Sequence, residues 1–180
     1  MDILKDKLCK EPILARPDFD QPFILQTDAC RTGLGAVLCQ KLPVIDEEGY
    51  TLVNEKGEPI LKERVICYGS IGTNKHQCNY GATQLELLTV VWALKNYHHY
   101  LLGEAFQLET DHAALKWIIT QPNLTGILAR WVMIMQEFII KVTIKPGRIH
   151  GNTDGLSCIP CPYFLEQLSW DEEDPLGRDV

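Results

Sequence analysis

Three aspartates in this chain follow a threonine, at Thr27-Asp28, Thr110-Asp111 and Thr153-Asp154. The first two stand in nearly the same phrase, Leu25-Gln-Thr-Asp28 and Leu108-Glu-Thr-Asp111, each at the end of an apolar, strand-like run. Carboxylates at the ends of separate elements suit a hard divalent cation, which takes oxygen ligands and keeps room for water and phosphate. Two such ions about 3.5–4 Å apart can activate water and stabilise a leaving oxygen in phosphodiester cleavage. Each aspartate also has a plain structural reading, as a strand-end residue or, for Asp111 and Asp154, a helix cap.

Glu86 is a fourth acid of this kind. Thr83-x-x-Glu86 fits a capping box, which alone would account for it. On a helical projection, however, Glu86 shares its face with Val90, Ala93 and Tyr97, opposite Gln84, Lys95 and His99. A carboxylate on an apolar arc is costly unless paired or metal-bound. Four acids together would raise one another's pKa values in the absence of a cation.

The elements that must position these acids follow from periodicity. Phe23–Asp28 and Leu34–Gln40 read as a hairpin around Ala29-Cys-Arg-Thr-Gly33, and Arg64–Ser70 as a third strand. A long helix is expected over Gln84–Leu102, stopped by Gly103, followed by a strand at Ala105–Thr110. Helices over His112–Thr120 and Gly126–Glu137, a strand over Phe138–Lys145 and a last helix from Thr153 complete the order βββαβααβα. The intervening helix lets the first and fourth strands lie parallel, with Asp28 and Asp111 meeting at their carboxyl ends, where open α/β sheets place their sites. Residues 1–10 read as a short amphipathic helix and 41–63 as a variable insertion.

Composition sets the bounds. The chain has 180 residues, 46% hydrophobic, enough for one domain with appendages. It holds no apolar run of bilayer length, and its first residues lack a signal peptide's apolar stretch, so an intracellular, cytoplasmic location is expected. The seven cysteines read as free thiols. Cys158-x-x-Cys161 with His150 nearby is an incomplete zinc set. The net charge of −7 is concentrated outside the middle of the chain: residues 171–180 sum to −4 and 46–64 to −3, whereas 106–150 sum to +2. That middle region can face phosphates, with Lys116, Arg130, Lys141, Lys145 and Arg148 as candidate contacts; a solvated surface charge is the commoner role for each. Trp117 and Trp131 read as core residues, with Leu115, Ile118, Leu128 and Met135.

Seven ordered motifs carry a resemblance. They are Pro17-Asp-Phe-Asp-Gln-Pro-Phe23, Thr27-Asp-Ala-Cys-Arg-Thr-Gly-Leu-Gly-Ala-Val-Leu38, Asn79-Tyr-Gly-Ala-Thr-Gln-Leu-Glu-Leu-Leu88, Val91-Trp-Ala-Leu-Lys95, Thr110-Asp-His-Ala-Ala-Leu-Lys-Trp117, Leu128-Ala-Arg-Trp131 and Pro146-Gly-Arg-Ile-His-Gly-Asn-Thr-Asp-Gly-Leu-Ser157. From about Ile3 to Pro160 the chain resembles the ribonuclease H domain of a gypsy-type LTR-retrotransposon Pol polyprotein, with the end of the reverse transcriptase attached. The resemblance implies an α/β, ribonuclease H-like fold: a five-stranded mixed sheet, three strands in an antiparallel meander, flanked by helices. Residues 1–21 would be the C-terminal remnant of the reverse transcriptase or its connection segment, 22–160 the ribonuclease H-like domain and 161–180 an acidic linker or tail.

The resemblance further implies an endonuclease that cuts the RNA strand of RNA–DNA hybrids with two Mg²⁺ (or Mn²⁺) ions. Its four catalytic carboxylates fall on Asp28, Glu86, Asp111 and Asp154, with Asp28 touching both metals, Glu86 and Asp111 holding one and Asp154 the other. His150 has two readings, a solvated loop histidine or an aid to proton transfer or product release. Implied partners are the hybrid, the upstream reverse transcriptase and the downstream integrase, in the cytoplasm or a virus-like particle. Cys30 stands where the family commonly has serine, Gly155 and Cys158 alter the last motif, and Gly69–Asn74 strays from the usual pattern. The rival reading is a decayed or domesticated module that serves as an interaction domain.

Overall fold

A computed structural model describes residues 14–46, 48–121, 123–145 and 156–157. Five strands and four helices follow in the order β1 (Phe23–Ala29), β2 (Gly33–Pro43), β3 (Leu61–Gly72), α1 (Ala82–Asn96), α2 (His98–Leu101), β4 (Ala105–Thr110), α3 (Ala114–Ile119), α4 (Gly126–Gln136) and β5 (Ile139–Ile144). They form the expected five-stranded mixed sheet, in the order β3-β2-β1-β4-β5. The meander β1–β2–β3 is antiparallel, and β1–β4 and β4–β5 are parallel.

Alternation along β1 divides the molecule into two layers. Phe23 and Leu25 belong to the main core, with Leu87, Val90, Val91 and Leu94 of α1, Leu115 of α3 and Trp131 and Met135 of α4. Ile24, on the other face, joins Val37 and Cys39 in a smaller cluster that Leu156 covers. Full burial of such side chains contributes about 1.5–3 kcal/mol each, so the larger cluster dominates the stability of the domain and holds α1 flat against β1.

Several local expectations change. The helix expected over Gln84–Leu102 is two helices, broken at Tyr97 (φ −105°, ψ 17°). The buried Tyr97 turns inward and its hydroxyl donates to the Ala36 carbonyl at 3.4 Å. The stop beyond it stands: Gly103 has φ +86°, a conformation that glycine adopts without strain. β2 and β3 run further than expected, through Pro43 and from Leu61, so both consume part of segment 41–63. The remainder folds into a small arm with bridges Ile45–Thr51 and Val53–Pro59. Trp131 is core as expected, whereas Trp117 is 62% exposed. Leu115 and Ile118 already occupy the inward side of the short helix α3, and Trp117 falls on its outer side. The helix expected over residues 1–10 lies outside the described residues.

Candidate metal centre

The parallel register explains the repeated phrase. Leu25 pairs with Leu108 and Gln26 with Glu109. Continuing that register brings the two aspartates level, Asp28 near the end of β1 and Asp111 one residue beyond β4. Glu86 comes from the first turns of α1. One ligand atom from each of Asp28, Glu86 and Asp111 lies within 4.8 Å of the others. Three acids far apart in the chain thus converge at the carboxyl ends of adjacent strands.

Glu86 is the electrostatic centre of this cluster. It is 7% exposed, on the apolar arc with buried Val90, Ala93 and Tyr97, as its helical projection indicates. Its Oε2 is buried without a hydrogen-bond partner. Burial, then the neighbouring charges of Asp28 and Asp111, push its carboxyl up to about 8, against the opposing effect of a backbone hydrogen bond from Ala29. A buried carboxylate with one orphaned oxygen, grouped with two more acids, fits a hard divalent cation, which would remove the repulsion and satisfy the oxygen together.

The capping-box account of Glu86 does not hold. The N-cap of α1 is Gly81, whose amide donates to Gln84 Oε1 at 3.1 Å. Thr83 turns elsewhere, its hydroxyl 3.0 Å from His112 Nε2. This contact ties the residue after Asp111 to α1 one turn before Glu86, bracing the two acid-bearing elements against each other. Sequence reading missed both Thr83 and His112 in this role, although His112 stands beside a singled-out aspartate.

Ser157 was also missed. Its hydroxyl donates to Asp28 Oδ2 in a short hydrogen bond. Cys30 Sγ donates to the Ser157 carbonyl at 2.8 Å. Asp154, His150, Arg148 and the pair Cys158/Cys161 lie outside the described residues.

Among the expected phosphate contacts, Lys116 and Arg130 are exposed on α3 and α4. Lys145 is engaged internally: its Nζ lies 2.5 Å from Glu109 Oε2 and 4.0 Å from Glu63. Gln26 Nε2 donates to Glu63 and Glu109, and Gln107 Nε2 donates to Glu109, completing a polar network one rung below the acid cluster.

Residues 18–138 match the family described as the RNase H-like domain found in reverse transcriptase. The chain belongs to this family. It is 35% identical over 156 residues to the Retrovirus-related Pol polyprotein from transposon 297 of Drosophila melanogaster, covering 87% of this chain and 13% of that protein. Against the opus polyprotein of the same organism it is 36% identical, over 93% of this chain and 15% of the relative. The Tf2-3 polyprotein of Schizosaccharomyces pombe is 32% identical over 98% of this chain and 12% of its own length. The chain therefore spans about an eighth to a seventh of the curated relatives it matches. Two solved foamy viral structures share the fold. A protease-reverse transcriptase in complex with double-stranded DNA has TM-score 0.54 at 12% identity, covering 80% of this chain and 24% of that one. The native enzyme has TM-score 0.53 at 13% identity, covering 80% and 18%. Among the described residues of this RNase H-like domain, no helix is long and apolar enough to cross a membrane.

Proposed function

We propose that this RNase H-like domain is a divalent-metal-dependent endonuclease that hydrolyses the RNA strand of RNA–DNA hybrids during reverse transcription of a retrotransposon. The observation that carries this reading is the convergence of Asp28, Glu86 and Asp111, with a buried, unpartnered Glu86 oxygen at its centre. Asp28, Glu86 and Asp111 hold the cation, and Asp154 supplies the fourth carboxylate. The attachment of Ser157 to Asp28 supports that assignment, since Asp154 stands three residues earlier in the chain. Mg²⁺ or Mn²⁺, as a pair of ions, supplies charge stabilisation and a water of lowered pKa.

The chain's own residues position these charges. The main core fixes α1 on β1, so the cluster is assembled before substrate arrives, and catalysis draws on positioning rather than rearrangement. Discrimination for the hybrid rests on 2′-hydroxyl contacts across its minor groove. Lys116 and Arg130 contact phosphates from α3 and α4, with Arg148 beyond β5. Lys145 contributes only by dividing its charge between phosphate and Glu109. His150 assists proton transfer or product release. In the whole protein, residues 1–21 continue the reverse transcriptase and 161–180 lead towards the integrase. The working location is the cytoplasm or a particle assembled there.

The test is cleavage of an end-labelled RNA–DNA hybrid by the chain with Mg²⁺, compared with Asp28→Asn, alongside duplex DNA and duplex RNA. RNA cut only in the hybrid, lost with EDTA and with the substitution, is the expected result. No metal-dependent cutting by the intact chain would overturn the enzymatic reading in favour of an interaction module. Cutting of duplex DNA instead would reassign the substrate.

A further inference from the structure

Leu156 and Ser157 are held by three different strand ends. Ser157 is wholly buried, and Leu156 packs on Ile24, Val37 and Cys39. The Leu156 carbonyl accepts a 2.7 Å hydrogen bond from Ser70 Oγ of β3, and the Ser157 carbonyl one from Cys30 Sγ beyond β1. Gly33, opening β2, makes room for this approach: a Cβ there would stand 2.7 Å from the Ser157 carbonyl oxygen. This seat delivers the Ser157 hydroxyl to Asp28 Oδ2.

We propose that Ser157 is a positioning residue for Asp28, holding its carboxylate in the cation-binding arrangement with Glu86 and Asp111. The proposal rests on reading the three acids as a cation site. Mutual repulsion turns an unrestrained Asp28 away from Glu86 and Asp111 when no cation is present. The Ser157 donor opposes that rotation with a charge-assisted hydrogen bond. An ionised carboxylate offers about four lone-pair sites, so accepting the Ser157 proton is compatible with Asp28 also binding a metal. Ser157 and the cation are therefore complementary partners of the same carboxylate. The Leu156–Ser157 seat thereby couples the chain just after Asp154 to the geometry of the β1 aspartate.

Calorimetric titration of the full chain with Mn²⁺, paired with thermal unfolding, tests this. Ser157→Ala is expected to weaken Mn²⁺ binding by roughly 10–100-fold, the range seen when a group that orients a metal ligand is removed. Ser157→Thr, which keeps the hydroxyl, recovers most of it. Gly33→Ala keeps the hydroxyl but obstructs its seat, and is expected to weaken Mn²⁺ binding in the same direction while remaining folded. Hybrid cleavage is measured separately on the same proteins. Ser157→Ala with a lower melting temperature but wild-type Mn²⁺ affinity would overturn the proposal, as would tighter binding, and either would leave the proposed nuclease intact if the wild type cuts. A wild-type chain that binds no Mn²⁺ would remove the cation site and this role of Ser157 together.

Discussion

Two neighbouring rungs of the β1–β4 pair carry acids, and their surroundings differ. At the lower rung Gln26 faces Glu109, whose carboxylate is 1% exposed yet receives Lys145, Gln26 and Gln107. At the upper rung Asp28 meets Asp111 and Glu86, and one Glu86 oxygen is buried without a hydrogen-bond partner. A buried acid that is fully compensated by fixed cations and amides is a structural element. One left uncompensated at the open end of a sheet carries a standing energetic penalty that a bound cation removes. The chain builds both, Glu109 on β4 and Glu86 in the cluster formed two residues further along the strands, so burial of acids alone does not distinguish a site from a scaffold.

The largest expected effect separates the rungs by activity. Asp111→Asn should reduce hybrid cleavage by at least ~100-fold, beyond what loss of a residue that only orients a metal ligand produces. Glu109→Gln should change the rate of the folded fraction far less. Comparable losses in both would erase the distinction.

The rungs should also differ in the sign of their stability effects without metal. Glu109→Gln strands a partly buried lysine; after discounting for Lys145's exposure, it is expected to cost about 2 kcal/mol in urea unfolding. Asp28→Asn relieves repulsion and is expected to stabilise the metal-free chain by about 1 kcal/mol. A destabilising Asp28→Asn would mean that its hydrogen bond to Ser157 outweighs the repulsion.

The upper rung predicts a pH dependence of unusual direction. Glu86 titrates at about 8 in the folded chain against an ordinary value of 4.5. Below 4.5 it is protonated in both folded and unfolded states and contributes no difference. Between 4.5 and about 8 the unfolded chain has released this proton and the folded chain has retained it, so this group lowers stability progressively as pH rises. Melting temperatures of the metal-free wild type, corrected by those of Glu86→Gln, should fall across that window, and saturating Mg²⁺ should flatten the trend. A Glu86 contribution that rises with pH would refute the assigned shift.

Smaller effects sharpen the comparison. Thr83→Val and His112→Ala should each cost about 1 kcal/mol, and the double variant less than their sum, because they break one contact. Full additivity would show that the contact is not the shared origin. Cys30→Ser keeps a donor for the Ser157 carbonyl and should alter stability by under about 0.5 kcal/mol.

Much of this was legible in the residues. Period-two alternation in β1 and β4 placed Asp28 and Asp111 in the same phase, and the helical projection put Glu86 on a core-facing arc, because both signals are local and periodic. The break at Tyr97 was not legible, since it depends on a contact with Ala36 some sixty residues away. The capping-box pattern at Thr83 and Glu86 is not realised for the same reason: the motif is local, but His112 engages the Thr83 hydroxyl from elsewhere in the fold.

The sequence by itself picked out Asp28, Glu86 and Asp111, on separate elements, as acids that could share a cation, and identified the chain as an RNase H-like domain, because motif spacing and periodicity survive in one dimension. Only the tertiary structure decided that Glu109 is compensated while a buried Glu86 oxygen is left without a partner. Lys145 and Glu109 are ordinary charges on the page until parallel pairing brings β4 and β5 together, and Ser157 is an ordinary serine until three strand ends seat it on Asp28. Compensation of charge requires contact, and contact between residues as far apart in the chain as Glu109 and Lys145, or Asp28 and Ser157, exists only after folding.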